Sequence, residues 1–147
     1  MCGRIIINVT NDELKDYLYR FFSIEDYLLD FYLPRYNLAP SQMLISVVND
    51  GFENQVSLMK WGFIPYFVRD ESKAFKMINA RAETIAEKPA FKYAFQNQRC
   101  LILANGYYEW QKNGDEKIPM LISKKDQSLF AFAGLWSEYR NQDGTKI

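Results

Sequence analysis

The 147-residue chain contains no histidine. Ser-His-Asp and Cys-His catalysis are therefore excluded within it, as is any metal site built on imidazole. Acid–base work falls to carboxylates, tyrosines, lysines or a terminal amine. Cysteine is scarce too: Cys2 and Cys100 are the whole complement, too few for a disulfide framework. With no secretory signal pattern, free thiols and a reducing, cytoplasmic setting are expected. No apolar run reaches membrane-spanning length, because charges interrupt every hydrophobic stretch. Net charge is lacking as well, since 18 basic and 18 acidic residues cancel. That balance argues against gripping duplex DNA through many phosphate contacts, yet it allows a local arginine cluster with aromatic stacking to read a few nucleotides.

Aromatic residues are abundant at 16%, with ten Tyr, eleven Phe and three Trp, a surplus that suits a β-rich core. The length fits one domain over residues 1–147, with no internal repeat, linker or low-complexity tract. Arg4 to Val9 reads as a strand, and Thr10 with Glu13 forms a capping-box pattern opening a helix over residues 11–22. Residues 34–42 read as a loop stiffened by Pro34 and Pro40. Strands are expected at Met43–Val48 and Gln55–Trp61 around the turn Asn49-Asp50-Gly51, then a partly helical stretch over 79–97 with Pro89 at a helix start. Arg99–Ala104 and Leu129–Leu135 read as strands, and Tyr107–Gln111 pairs with Ile118–Ile122 as a hairpin around Asn113-Gly114-Asp115. The fold class is α+β, mainly an antiparallel, barrel-like sheet with a few flanking helices. Asp143-Gly144-Thr145 followed by Lys146-Ile147 resembles a turn leading into a further strand, so an open sheet edge and a domain incomplete at its C-terminus are expected.

Four segments suggest chemistry. In Met1-Cys2-Gly3-Arg4, loss of Met1 leaves Cys2 with a free amine beside a free thiol. The amine condenses with an aldehyde to an imine, and the thiol closes on the same carbon to a thiazolidine. Intrinsic pKa values of roughly 8 and about 8.5 keep both nucleophiles accessible near neutral pH. An N-terminal nucleophile also offers a route to amide hydrolysis. In Asn79-Ala80-Arg81-Ala82-Glu83-Thr84, an amide can orient a carbonyl or imine and an arginine can clamp a phosphate, although Asn79 also suits a helix cap. In Asn105-Gly106-Tyr107-Tyr108-Glu109-Trp110, strand alternation puts Glu109 on one face with Tyr107 and Gln111, a desolvating setting for an acid–base carboxylate. The loop Trp61-Gly62-Phe63-Ile64-Pro65-Tyr66-Phe67 suits either base stacking or burial.

In this order, and with Arg35-Tyr36-Asn37-Leu38-Ala39-Pro40 and Ala133-Gly134-Leu135-Trp136, these segments resemble the SOS response-associated peptidase family, the abasic-site processing proteins. The resemblance spans nearly the whole chain. It implies a protein that engages abasic sites in single-stranded DNA and links to them covalently through the mature N-terminal cysteine, without metal, cofactor or membrane, as a monomer when complete. It also implies removal of Met1 by the protein itself and a lyase-like activity. By carry-over Cys2 is the nucleophile, Asn79 positions the linkage and Glu109 is the acid–base group. Arg4, Asn37, Arg81, Tyr66 and Phe67 hold the DNA backbone and flanking bases. Two departures stand out: family members continue with further strands and a histidine, and often carry tryptophans where this chain has Tyr66-Phe67-Val68. Alternative readings are a cysteine peptidase acting on other proteins and a non-catalytic module that binds single-stranded DNA.

Overall fold

The computed structural model describes residues 2–68 and 77–139. The chain runs β1 (Ile5–Ile7), α1 (Asn11–Phe22), β2 (Arg35–Leu38), β3 (Met43–Asn49) and β4 (Asn54–Lys60). A short 3-10 helix (Ala82–Thr84) and α2 (Pro89–Asn97) follow, then β5 (Arg99–Ala104), β6 (Gly106–Asn113), β7 (Glu116–Ser123) and β8 (Phe130–Leu135). The strands divide into two four-stranded sheets, ordered β2-β1-β6-β7 and β4-β3-β5-β8, and every pairing is antiparallel. This is the α+β architecture expected from the pattern, with two sheets and no closed barrel among the described residues. The turn and strand start anticipated near residues 143–147 lie outside the described residues.

Local sequence explains much of this. The capping box at the start of α1 closes both ways: Glu13 N–H donates to Thr10 Oγ1 at 3.2 Å, and Thr10 N–H donates to Glu13 Oε2 at 2.7 Å. Leu14 and Leu18, four apart on one face, are buried in the core with Ile5, Ile7, Leu44 and Ile45. Ser23 ends the helix in the left-handed conformation at φ 57°, and Asn54 Nδ2 donates to the orphan carbonyl of Phe22 at 2.9 Å. The β6–β7 hairpin turns at Asn113-Gly114-Asp115 with Gly114 at φ +61°, a conformation glycine adopts without strain.

One expectation fails. Residues 35–38 are not loop: they form β2 and pair with β1, Leu38 opposite Ile5 and Arg35 opposite Ile7. Proline lacks the N–H that a ladder needs, so Pro34 and Pro40 bound a short edge strand instead of preventing one.

A single residue, Asn105, joins β5 of one sheet to β6 of the other, and it is buried. Its Oδ1 accepts from Asn8 N–H at 2.8 Å, and its Nδ2 donates to the carbonyls of Asn8 at 3.1 Å and Gln127 at 3.3 Å. Beside it, a Cβ on Gly106 would meet Ile6 Cγ1 at 2.9 Å, so only glycine lets β6 approach β1 this closely. Among the described residues, no helix is long and apolar enough to cross a membrane.

Candidate active site

The site forms where the N-terminal segment leaves β1. Tyr108 N–H donates to the carbonyl of Arg4 at 2.9 Å, which extends the β1–β6 pairing and lays residues 2–4 along β6 toward Glu109. Arg4 Nη1 reaches across to β2 and donates to Asn37 Oδ1 at 2.9 Å, so the edge strand that the sequence had hidden is what places Asn37 here. Cys2 is half-buried, and its Sγ donates to the Arg4 carbonyl at 3.4 Å.

Asn79 arrives from elsewhere in the chain. Its Nδ2 donates to the Cys2 carbonyl at 2.7 Å, a contact between residues 77 positions apart. It is not a helix cap; Arg81 occupies the cap position of the 3-10 helix. What delivers Asn79 is Trp61, a residue that the sequence pattern marks as a strand end and aromatic loop member. The buried Trp61 donates from Nε1 to the carbonyl of Ile78 at 3.0 Å, and Phe63 N–H donates to Met77 O at 2.9 Å. The backbone of Trp61 is itself held: its N–H donates to Gln42 O at 2.8 Å, and its carbonyl accepts from Ser41 N–H at 2.7 Å. No periodicity signals that chain of contacts, because each link joins distant segments.

Burial pushes the Cys2 thiol above its ordinary pKa; the backbone at Arg4 partly offsets this, and the Glu109 carboxylate adds to the rise. Glu109 is therefore within electrostatic reach of the thiol. The thiol is protonated at neutral pH and needs a base before it can attack. Cys100, the other cysteine, is buried in β5 of the opposite sheet, and desolvation pushes it to about 11. Of the two cysteines, Cys2 is the less buried and the one within reach of the Glu109 charge.

The aromatic loop splits in two. Trp61, Ile64 and Pro65 are buried, whereas Tyr66 and Phe67 are exposed. Arg81 is exposed two residues beyond Asn79. The structure thus gathers Cys2, Arg4, Asn37, Asn79 and Glu109 into one site, with Arg81 beyond Asn79 and the two exposed rings beyond the buried part of the loop. A groove of about 810 Å³ opens alongside, lined by Cys2, Trp61, Phe63, Ile64, Asn79 and Trp136 among others. Ser46 lies on its wall, fully buried, and its hydroxyl has no hydrogen-bond partner among the described residues. Among those residues, no group of three or more Cys, Asp or Glu side chains is arranged to hold a metal.

The family model described as SOS response associated peptidase matches residues 1–147. This chain belongs to that family. It is 42% identical over 146 residues to the abasic site processing protein YoaM of Bacillus subtilis, covering 98% of this chain and 63% of YoaM. The abasic site processing protein YedK of Escherichia coli is 32% identical over 139 residues, 90% of this chain and 59% of YedK. The chain therefore spans somewhat under two thirds of the length of YoaM and of YedK. A crystal structure of a Bordetella bronchiseptica protein superposes with a TM-score of 0.78 at 25% identity, covering 99% of this chain and 68% of that one. A second, from Bacteroides thetaiotaomicron, has a TM-score of 0.69 at 32% identity over 76% of this chain and 50% of that one.

Proposed function

We propose that this member of the SOS response-associated peptidase family processes abasic sites in single-stranded DNA by forming a thiazolidine cross-link through Cys2. The observation that carries the reading is the convergence on Cys2: Asn79 bonded to its carbonyl at 2.7 Å, the charge of Glu109 acting on its thiol, and Arg4 bonded to Asn37 beside it. Hydrolysis of the Met1–Cys2 bond consumes one water and frees the Cys2 amine. The open form of an abasic deoxyribose presents an aldehyde at C1′. The amine adds to that carbon, and loss of water leaves the imine. The Cys2 thiol gives its proton to Glu109, its sulfur bonds to the imine carbon, and the nitrogen takes up a proton as the five-membered ring closes. One aldehyde, one amine and one thiol thus yield one thiazolidine and one water.

The chain's own groups suit these steps. A thiol held protonated by burial and a nearby carboxylate does not react until a base removes its proton, and Glu109 is the carboxylate in range. Asn79 fixes the Cys2 backbone, which orients amine and thiol toward one carbon. Arg4, Asn37 and Arg81 supply contacts for phosphate and sugar, and the exposed Tyr66 and Phe67 supply stacking faces for flanking bases. A lyase-like outcome follows if, before the ring closes, the imine loses a proton from C2′ and the C3′–O bond breaks, so that the 3′-phosphate leaves, a C2′–C3′ double bond forms and water then hydrolyses the imine.

Intact-mass measurement of the purified chain is expected to show loss of Met1; a retained Met1 overturns the autopeptidase step. The Met-processed protein, incubated with single-stranded DNA bearing one abasic site, is expected to give a covalent adduct stable to denaturant. Cys2→Ala is expected to give none, and equal cross-linking by that variant sinks the mechanism. Glu109→Gln is expected to slow formation of the adduct, and unchanged kinetics removes Glu109 from the acid–base role. Turnover of peptides without DNA is the result that favours a general peptidase instead.

A further inference from the structure

The aromatic loop and helix α2 meet on the outside of the protein. Tyr66 is 75% exposed, Phe67 52% and Tyr93, in the middle of α2, 54%. The Tyr66 ring lies 5.3 Å from that of Phe67 with planes at 85°, and 5.9 Å from that of Tyr93 with planes at 58°. Deeper in, the half-buried rings of Phe63 and Phe91 pack at 5.3 Å. Loop and helix are therefore anchored by one pair of rings, while three others form a contiguous cluster left in water. Edge-to-face and tilted contacts hold each ring in place without covering both of its faces.

The charge around Tyr93 indicates what the cluster meets. From Lys88 to Tyr108 the sequence has three cations, Lys88, Lys92 and Arg99, and no carboxylate. Lys88 and Lys92 are both exposed and lie one turn apart; Lys92 precedes Tyr93 in the chain and projects about 100° round the helix from it, and the exposed Glu87 directly precedes Lys88. Flat apolar faces interleaved with cations complement a polyanion that carries flat bases. They are a poor match for an apolar protein surface, which would leave the lysines unpaired.

We infer that Tyr93 is a further base-stacking residue, which carries the platform of Tyr66 and Phe67 onto helix α2 so that single-stranded DNA leaving the site runs over the helix with Lys92 at its phosphates. This rests on the DNA reading above. The test measures reversible binding of a fluorescent single-stranded oligonucleotide in a Cys2→Ala background, where no covalent capture intervenes. Tyr93→Ala is expected to weaken binding about tenfold, the scale of one lost stacking contact. Tyr93→Phe is expected to stay within about twofold of the parent. Tyr93→Leu, which keeps bulk against Tyr66 but has no π face, is expected to lose as much as alanine. Lys92→Ala is expected to flatten the slope of log affinity against log salt by about 0.7, the value for one phosphate on a single strand, whereas the tyrosine variants leave the slope unchanged.

If Tyr93→Leu binds as tightly as the parent, the inference is overturned. If Tyr93→Ala is neutral while Tyr66→Ala weakens binding, DNA still occupies the loop but does not reach the helix, and the inference again fails while the DNA reading stands. If the Cys2→Ala background itself shows no affinity for single-stranded DNA, it is the underlying reading that fails.

Discussion

Strand β3 buries four consecutive residues, Leu44 to Val47, whereas all eight residues of β7 are exposed. The contrast runs through the two sheets. Strands β3 and β5 lie inside their sheet and carry long apolar runs, with Leu44, Ile45, Val47, Leu103 and Ala104 in the core. Strand β7 is the outer strand of its sheet and carries Pro119, which an interior strand does not tolerate. Every site residue borne on or beside a strand belongs to this more open sheet: Cys2 and Arg4 before β1, Asn37 in β2 and Glu109 in β6. The openness belongs to β7 and the outer half of β6, since β1 of the same sheet is buried throughout and shares its core with β3 and β5. The two cysteines differ in burial, Cys2 half-buried before β1 and Cys100 buried within β5, although both line the groove.

If that division is real, core truncation separates the sheets most sharply. Leu103→Ala in β5 is expected to cost about 2–5 kcal/mol in urea unfolding, while Met120→Ala in β7 is expected to cost well under about 1 kcal/mol. Equal losses would mean that β7 is packed in solution and that the sheets do not differ. Thiol reactivity sharpens the comparison next. Cys100, held at about 11, is expected to resist alkylation in the folded protein, while Cys2 reacts with an inflection above that of free cysteine. Because Glu109 adds to the Cys2 shift, Glu109→Gln is expected to move that inflection to lower pH. An unfolded thiol titrates near 8.5. The Cys100 contribution to stability is thus intact below about pH 8.5 and is lost as pH climbs toward about 11, so Cys100→Ala should flatten that part of the stability curve.

The seam between the sheets comes third. Asn105→Ala removes the part-buried bonds to the backbone of Asn8 and is expected to cost about 1 kcal/mol. A neutral result would show that the sheets are held in register by side-chain packing alone. The smallest effect belongs to the open sheet: Asn37→Ala removes the exposed bond to Arg4 and is expected to change thermal stability by no more than about 0.5 kcal/mol, while weakening DNA binding. A large melting shift would instead give Asn37 a structural role.

How much could be read from the chain depended on the distance over which each feature is determined. The bounds of α1, at Asn11–Phe22, and of β5, at Arg99–Ala104, coincide with the sequence expectation because caps, breaks and periodicity act locally. The hairpin at Gly114 was equally legible, since its turn chemistry lies within the turn. Strand β2 was not, because two prolines mark loops locally and only the partner strand β1 shows them to be strand ends. Asn79 looked as much like a cap as a site residue, and the delivering role of Trp61 left no local trace, since its indole bonds a carbonyl 17 positions away.

The sequence by itself determined that these 147 residues carry no imidazole, that Cys2 is the one of their cysteines able to become an N-terminal nucleophile, and which motifs accompany it. The tertiary structure decided which of those motifs meet. Strand pairing, the lone residue Asn105 between two sheets and the Trp61–Ile78 bond are long-range contacts, and their closure depends on the whole chain being folded. Residue types name the chemistry a chain can do, and packing fixes the distances at which it can be done.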